Sequence, residues 1–407
     1  MRIKVLGAGR EVGRSCIVVE GRKKVVLDCG VKLQPEPPQY PVIDEAKDID
    51  FAVLSHAHLD HCGAMPLLMK RRIPVYMTDI TLELSSLLLK DSMKVGRLQG
   101  YGTPFGKSDF KKFVKSSRIV GYGEKFLSCR LFDAGHIPGS AGVFLENEGV
   151  FYTGDVQTIE SNLLRPAKFP AACKTLIIES TYSRRNHPLR EQEEFRLVEA
   201  VEEALGKDET ALIPVFAVGR AQEVLSILKE YAPKIALDGM TKTASELVAE
   251  YGSYIRNRKE FRKILKKVHM VKKGSERDKI LKKYPIIIAS AGMLGGGPAV
   301  DYLSRISHRE GSKVLFTGFL VEESPGSNLI KTKIFENGSQ KFDVECELHQ
   351  FSLSAHADRK GLLSIISRLR PKNVVCVHGE HCGEFADELE GRGINAYAPK
   401  NGEEVKL

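Results

Sequence analysis

The stretch LSHAHLDHCGAM, Leu54 to Met65, places three histidines and an aspartate within six positions: His56, His58, Asp60 and His61. The chain of 407 residues has only eleven histidines, so three gathered here suggest one shared role. In an extended segment side chains alternate faces, which would line His56, His58 and Asp60 along one side and turn His61 to the other. A helix would scatter the same groups around its axis. DFAVLS ahead of the cluster reads as a buried strand, and GAMPLLMKR behind it as the first turns of a helix. The cluster is thus expected on a strand-to-helix loop, where a rigid scaffold can aim several donors at one point. Imidazole nitrogens and carboxylate oxygens are zinc ligands, and a tetrahedral ion has few positions to fill. Four donors this close in sequence cannot easily all reach one ion, so two ions sharing the cluster is the more natural arrangement.

At this length the chain can form two domains with sizeable cores. No apolar run approaches bilayer length. The start, MRIKVLGAG, reads as a first strand and lacks the features of a signal peptide, so a cytoplasmic location is expected. Eight cysteines (Cys16, Cys29, Cys62, Cys129, Cys173, Cys346, Cys376, Cys382) show no CxxC pair and no disulfide-framework spacing. Most lie in or beside apolar runs and read as reduced, buried thiols, Cys62 and Cys376 included, although both neighbour suspected ligands.

The net charge of +9 is unevenly spread: from Arg256 to Lys283 there are thirteen Lys or Arg against three acidic residues, and the rest is near neutral. Apolar residues recur there at helical intervals (Phe261, Ile264, Leu265, Val268). A solvated helical face explains the pattern; so does a helix that packs its apolar stripe and offers the basic face to a polyanion, with salt-dependent binding.

The first third is rich in short strands: RIKVLGAG, SCIVVEG, KKVVLDCG, FAVLSHAH, IPVYMT, SCRLFDAGH, AGVFLEN and GVFYTGD, with helices expected near Leu67–Arg71 and Leu82–Leu98. From about Lys174 strands and helices alternate, in KTLIIEST, ETALIPVFAVGRAQEVLSILKEY, YPIIIASAGMLGGGPAVDYLSRI and SKVLFTGFL, which argues for a parallel, doubly wound sheet. After Phe351 the pattern returns to that of the first third, so the middle looks inserted. The expected domains are 1–182 with 351–407, and 183–350.

A pair of ions needs more donors than the cluster holds. Three more candidates follow strands and sit beside glycine or other small residues: His136 in RLFDAGHIPGSAG, Asp155 in VFYTGDVQ and His378 in NVVCVHGEH. Strand ends opening onto one rim are where sheet enzymes gather their site residues.

These residues carry a family resemblance. HAHLDH resembles the HxHxDH signature of the metallo-β-lactamase fold, and Asp28 in VVLDCG, His136 and Asp155 match its other motifs in order. Glu179 in IIEST, His356 in SAHAD and His378 in VHGE resemble the added motifs of the β-CASP nucleases. PVFAVGRAQEVL, LDGM, SAGMLGGGPAVDYL and TGFL are similar to their inserted domain. The resemblance covers essentially the whole chain and is nearest to the cleavage-and-polyadenylation-factor-like ribonucleases of archaea and bacteria, in a form without RNA-binding modules ahead of the first strand. It implies an αββα metallo-β-lactamase sandwich of class α/β, interrupted by a β-CASP domain with a parallel sheet flanked by helices.

It also implies two zinc ions. His56, His58 and His136 would hold one, Asp60, His61 and His378 the other, and Asp155 would bridge them. Asp28 would orient a ligand imidazole through its far nitrogen. His356 would be general acid to the departing oxygen, with Glu179 fixing its protonated tautomer. A water activated between the ions would attack phosphorus in line and leave a 5′-phosphate and a 3′-hydroxyl. Ser354 either contacts a phosphate or caps a helix. In GMLGGGP, the amides around Gly295 and Gly296 either receive a phosphate or serve tight packing. Single-stranded RNA is the expected partner, no membrane is involved, and homodimers occur in such families. HCGA stands where Ser-Gly-Gly is commoner after the signature.

Other functions weigh less. A DNA nuclease of the superfamily typically lacks a histidine at the place of His378. A small-molecule hydrolase would need neither the insertion nor Glu179 and His356. An inactive RNA-binding scaffold would have lost ligands that are all present here. Endonucleolytic and 5′-to-3′ exonucleolytic cutting use the same parts, and the sequence favours neither.

Overall fold

The computed structural model describes residues 1–43 and 46–407. The chain forms two compact units, one of Met1–Glu160, Leu164–Asn186 and His356–Leu407, the other of Ser161–Leu163 and His187–Ala355.

In the first unit, two seven-stranded sheets lie face to face between helices. One runs Glu404–Lys406, Arg2–Gly7, Cys16–Glu20, Lys24–Leu27, Phe51–Val53, Val75–Met77, Ser117–Ile119. The other runs Asn395–Tyr397, Asn373–Val377, Thr175–Glu179, Val150–Tyr152, Ala141–Leu145, Cys129–Asp133, Lys125–Phe126. The period-2 alternation of a strand explains the layers. Ile17, Val19, Val25 and Leu27 meet Val143, Leu145, Ile177 and Val375 between the sheets. The intervening Cys16, Val18 and Val26 face outward to Leu89 and Phe113 of the helices Asp79–Leu98 and Lys107–Ser116. On the far side Leu176, Ile178, Val374 and Cys376 pack on Leu362, Ile365 and Phe385 of the helices Arg359–Leu369 and Cys382–Gly391. Strands covered on both faces read as continuous apolar runs, and each fully buried Leu, Ile or Phe contributes about 1.5–3 kcal/mol.

Register sets the site. Val150–Tyr152, Thr175–Glu179 and Asn373–Val377 are parallel neighbours, with Tyr152 opposite Ile177 and Glu179 opposite Val377. Their C-terminal ends therefore release Asp155, the chain beyond Glu179, and His378 at one edge.

The second unit holds a six-stranded parallel sheet in the order His269–Met270, Ile235–Asp238, Ile286–Ala289, Ala211–Pro214, Lys313–Phe316, Glu347–Gln350. Leu212, Ile287 and Val314 on one face pack against Leu303 and Ile306 of the helix Pro298–Ile306. The helix Arg190–Gly206 packs on the strands Ala211–Pro214 and Lys313–Phe316.

Three local expectations are corrected. The extended run ends at His58: Leu59–Cys62 is already α-helical, so Asp60 and His61 are not set by strand alternation. Met65–Arg71 is a 3-10 helix, begun at Pro66 in its first turn and ended by Arg72 in the left-handed conformation. The basic stretch is not one helix but Arg258–Lys267, an edge strand His269–Met270 and a second helix Arg277–Lys283. Val268, apolar and β-branched, caps the first helix in an extended conformation, and the strand follows from His269. All eight cysteines are buried free thiols. Among the described residues no helix is long and apolar enough to cross a membrane.

Candidate metal centre

Asp28 follows the strand Lys24–Leu27 in a left-handed conformation, φ 60°, and is fully buried. That strained turn aims its carboxylate across the sheet. Oδ1 accepts from the Ser55 amide at 2.7 Å, and Oδ2 accepts from the Ser55 and Tyr152 hydroxyls, each at 2.7 Å. Oδ2 also lies 2.7 Å from His61 Nδ1. The carboxylate thus holds one imidazole nitrogen of His61 and turns Nε2 into the centre. Ser55 Oγ stands 3.0 Å from His56 Nδ1 and does the same for that ring. Thr181 Oγ1 lies 3.2 Å from His378 Nδ1, leaving Nε2 of that ring toward Asp60 and His61. His378 is itself left-handed, φ 52°.

Two donor groups result: His56, His58, His136 and Asp155, and Asp60, His61, Asp155 and His378. Asp155 belongs to both, and its two oxygens divide between them. Oδ2 lies 3.4 Å from His56 Nε2 and 3.6 Å from His136 Nε2. Oδ1 lies 3.1 Å from His61 Nε2 and 3.6 Å from His378 Nδ1. Asp155 is 1 % exposed.

These residues fit a pair of metal ions on three grounds. Nitrogens bonded to one tetrahedral zinc at about 2.0–2.1 Å stand about 3.3 Å apart; His58 Nδ1 and His136 Nε2 are separated by 3.1 Å, and His61 Nε2 and His378 Nε2 by 3.3 Å. His56 Nε2 and Asp155 Oδ1 are buried with no hydrogen-bond partner, which costs free energy unless a cation binds them. The electrostatics also call for positive charge. Burial opposes a charge on His61, yet Asp155, Asp28 and Asp60 together hold it well above the usual histidine range. Burial likewise opposes the Asp155 carboxylate, but His61 and its neighbours hold it well below the usual range.

A third group lies beside them. His356 Nδ1 stands 3.0 Å from both oxygens of Glu179, and Nε2 is 4.0 Å from Asp155 Oδ2. Burial pulls His356 down, but Glu179 and Asp155 outweigh it and raise its pKa to about 9. Two divalent cations nearby would draw it back toward neutrality. The buried Glu179 also accepts from the Val156 amide at 2.9 Å, and Gln157 Nε2 donates to the His356 carbonyl at 2.8 Å.

All ten of the histidines and acids expected here gather in the first unit: His56, His58, Asp60, His61, His136, Asp155, His378, His356, Glu179 and Asp28. Ser354, Gly295 and Gly296 lie in the second unit. Ser354 does not cap the following helix: Asp358 does, its side chain accepting from Gly361 N. The Ser354 carbonyl instead accepts from Arg190 Nη1 at 3.3 Å. Gly295 and Gly296 precede the Gly297 cap of the helix Pro298–Ile306, and a methyl at either would meet nothing within 4 Å, so tight packing does not account for them.

Sequence reasoning passed over Ser55, Tyr152, Thr181 and Gln157. A tyrosine inside an apolar strand is a usable signal, because its buried hydroxyl needs a partner. Gly30 was also passed over: a Cβ there would stand 1.7 Å from the Asp60 carbonyl oxygen, so the ligand loop can close only over glycine.

Residues 9–186 match the metallo-beta-lactamase superfamily, residues 221–329 the Beta-Casp domain, and residues 341–399 the Zn-dependent metallo-hydrolase RNA specificity domain. A probable RNase of Methanocaldococcus jannaschii is 36% identical over 100% of both chains. The RNase aCSPSF2 of Saccharolobus solfataricus is 33% identical over 100% of this chain and 85% of its own. The chain belongs to the β-CASP family of metallo-β-lactamase-fold nucleases. A transcription termination factor of M. jannaschii, FttA, is 34% identical over 100% of this chain and 72% of its own. A protein of unknown function from Enterococcus faecalis, solved by crystallography, shares the fold with TM-score 0.60 at 15% identity, over 100% of this chain and 99% of that one. As a β-CASP protein the chain is a metal-dependent hydrolase, with the clustered histidines and aspartates as its candidate metal ligands.

Proposed function

We propose that this β-CASP protein is a ribonuclease that uses two zinc ions to hydrolyse phosphodiester bonds of single-stranded RNA, leaving 5′-phosphate and 3′-hydroxyl ends. The observation that carries the reading is the division of Asp155, one oxygen toward each imidazole group, with a carboxylate-backed histidine alongside. The RNase names of its relatives support RNA as substrate.

In this reading His56, His58 and His136 hold one ion, Asp60, His61 and His378 the other, and Asp155 bridges. When bound, such a pair lowers the pKa of water into the neutral range and neutralises charge on phosphate oxygens. Asp28 keeps the His61 tautomer that leaves Nε2 a lone pair for metal. His356 acts as the imidazolium: its Nδ1–H donates to the Glu179 carboxylate, and the second proton, on Nε2, is delivered to the departing 3′-oxygen. Glu179 favours the charged imidazole and the two cations oppose it, which leaves His356 near the neutral range where a general acid can both hold and release its proton. Glu179 is a positioning residue, and Gly295 and Gly296 present amides to an RNA phosphate. The functional domains are taken as 1–182 with 351–407, and 183–350.

The test uses single-stranded RNA labelled at its 5′ end, with lanes holding a zinc chelator, the His58→Ala variant and a matching single-stranded DNA. Internal fragments with 3′-hydroxyl ends, lost with chelator and variant, are expected. Intact RNA in the wild-type lane at full zinc loading would overturn the proposal.

A further inference from the structure

The thirteen cations between Arg256 and Lys283 divide by residue type. All four arginines are held. Arg256, Arg258 and Arg262 donate to the carbonyls of Ser161, Glu250 and Ala249 at 2.6, 3.0 and 3.0 Å. Arg277 pairs with Asp238 and Asp301 at 2.8 and 2.7 Å. All nine lysines are exposed, and among the described residues none forms an ion pair. Two of the three acids in the stretch are drawn off by cations from outside it: Glu260 pairs with Lys229 at 3.0 Å, and Asp278 with Arg305.

Helical geometry gathers these lysines. In Arg258–Lys267, Lys259, Lys263, Lys266 and Lys267 fall at i, i+4, i+7 and i+8 and form one stripe. The opposite face carries Phe261 and Ile264, both buried. The break at Val268 then brings in His269, at the outer edge of the parallel sheet, whose ring stacks on Tyr284 at 4.6 Å and 16°. Lys283 Nζ stands 5.3 Å from the Tyr284 ring centroid. Like charges packed this closely repel one another, a cost that a bound polyanion removes.

We propose that this lysine face of the second unit is a docking surface for the phosphate backbone of single-stranded RNA. The inference rests on the ribonuclease reading above. Lysine suits such a surface, because each ammonium is a mobile point charge that follows an irregular backbone without demanding one geometry. The surface supplies affinity and no sequence preference.

The test is the salt dependence of binding to fluorescent oligouridylate by zinc-loaded protein, in a His356→Asn background so that the RNA survives. The variant replaces Lys259, Lys263, Lys266 and Lys267 with Ser. A second variant replaces the same four with Arg and preserves charge. Every phosphate that the protein no longer neutralises lowers the slope of log K against log[salt] by about 0.7 for a single strand, so four serines should flatten it by up to about 3. Affinity should fall at least tenfold, and the arginine variant should keep the wild-type slope. In the otherwise wild-type protein, turnover of bis(p-nitrophenyl) phosphate should be unchanged by the serines, which also shows that the centre is folded. An unchanged slope in the serine variant overturns the proposal. So does loss of binding to phosphatidylserine vesicles with RNA binding intact, which would assign the face to a membrane. Failure of the ribonuclease reading would look different: no RNA cleavage by wild type whatever the slopes.

Discussion

Replacing Asp28 with Asn isolates one carboxylate oxygen. Asn tolerates the left-handed φ of 60°, so the backbone adds little strain, and the shape is nearly unchanged. What changes is the hydrogen bonding. Oδ1 accepts from Ser55 N, while Oδ2 faces the Ser55 and Tyr152 hydroxyls and His61 Nδ1. If the amide oxygen takes the place of Oδ2, the amide NH2 confronts the Ser55 N–H and one buried donor is unsatisfied. If it takes the place of Oδ1, the NH2 faces His61, which must then carry its proton on Nε2, where a metal needs a lone pair. The first arrangement costs about 1–3 kcal/mol of folding stability. The second weakens metal binding by about 10–100-fold, about 1.4–2.7 kcal/mol. Calorimetric zinc titration of the metal-free protein against a competing chelator should therefore show one site weakened, the one sharing His61, with the other near wild type. Both sites at wild-type affinity together with unchanged thermal stability would refute the role given to Asp28.

Three further outcomes are expected. His356→Asn should lower kcat for RNA by about 10²–10⁴-fold with zinc content unchanged; the deficit should shrink for a p-nitrophenyl phosphodiester, whose leaving group needs no proton, and an equal loss on both substrates would refute a general-acid role. Lys313 and Lys207 pair with Glu347 and hold its carboxyl down from its ordinary 4.5 to about 2. Because that pKa is depressed, the pair stabilises above about pH 4.5 and the contribution fades as pH falls toward 2. Glu347 is 37% exposed, so Glu347→Gln should cost only about 1 kcal/mol in urea melts at neutral pH and nothing near pH 2; a pH-independent loss would point to packing instead. Gly30→Ala should lower stability by at least about 1–3 kcal/mol and reduce zinc uptake, because the new methyl overlaps the Asp60 carbonyl; an unaltered melting temperature would contradict the closure of that loop.

Much of the fold was legible because its causes are local. Strands buried on both faces must be apolar throughout, so KKVVLDCG and NVVCVHGEH announce themselves. The parallel sheet of the second unit follows from strand–helix alternation. Local rules failed where a short segment had two options. Asp60 and His61 continue the HxH run in sequence, yet Leu59–Cys62 turns helical, and this turn, with Asp28 fixing His61, gives the second donor group its shape. The basic stretch kept a helical period across Val268, but pairing of His269–Met270 with the neighbouring strand broke it into two helices.

The sequence by itself determined the chemistry on offer: which residues can bind metal, that they follow strands, and that a long insertion separates them. Residue type and strand burial are properties of short segments and need no partner to be read. Only the tertiary structure decided that Asp155 turns one oxygen to each imidazole group, that Ser55 and Tyr152 share Asp28, and that nine lysines keep no carboxylate partner among the described residues. Those are facts of side-chain direction between residues up to hundreds of positions apart, and they are set by sheet register and packing rather than by any local preference.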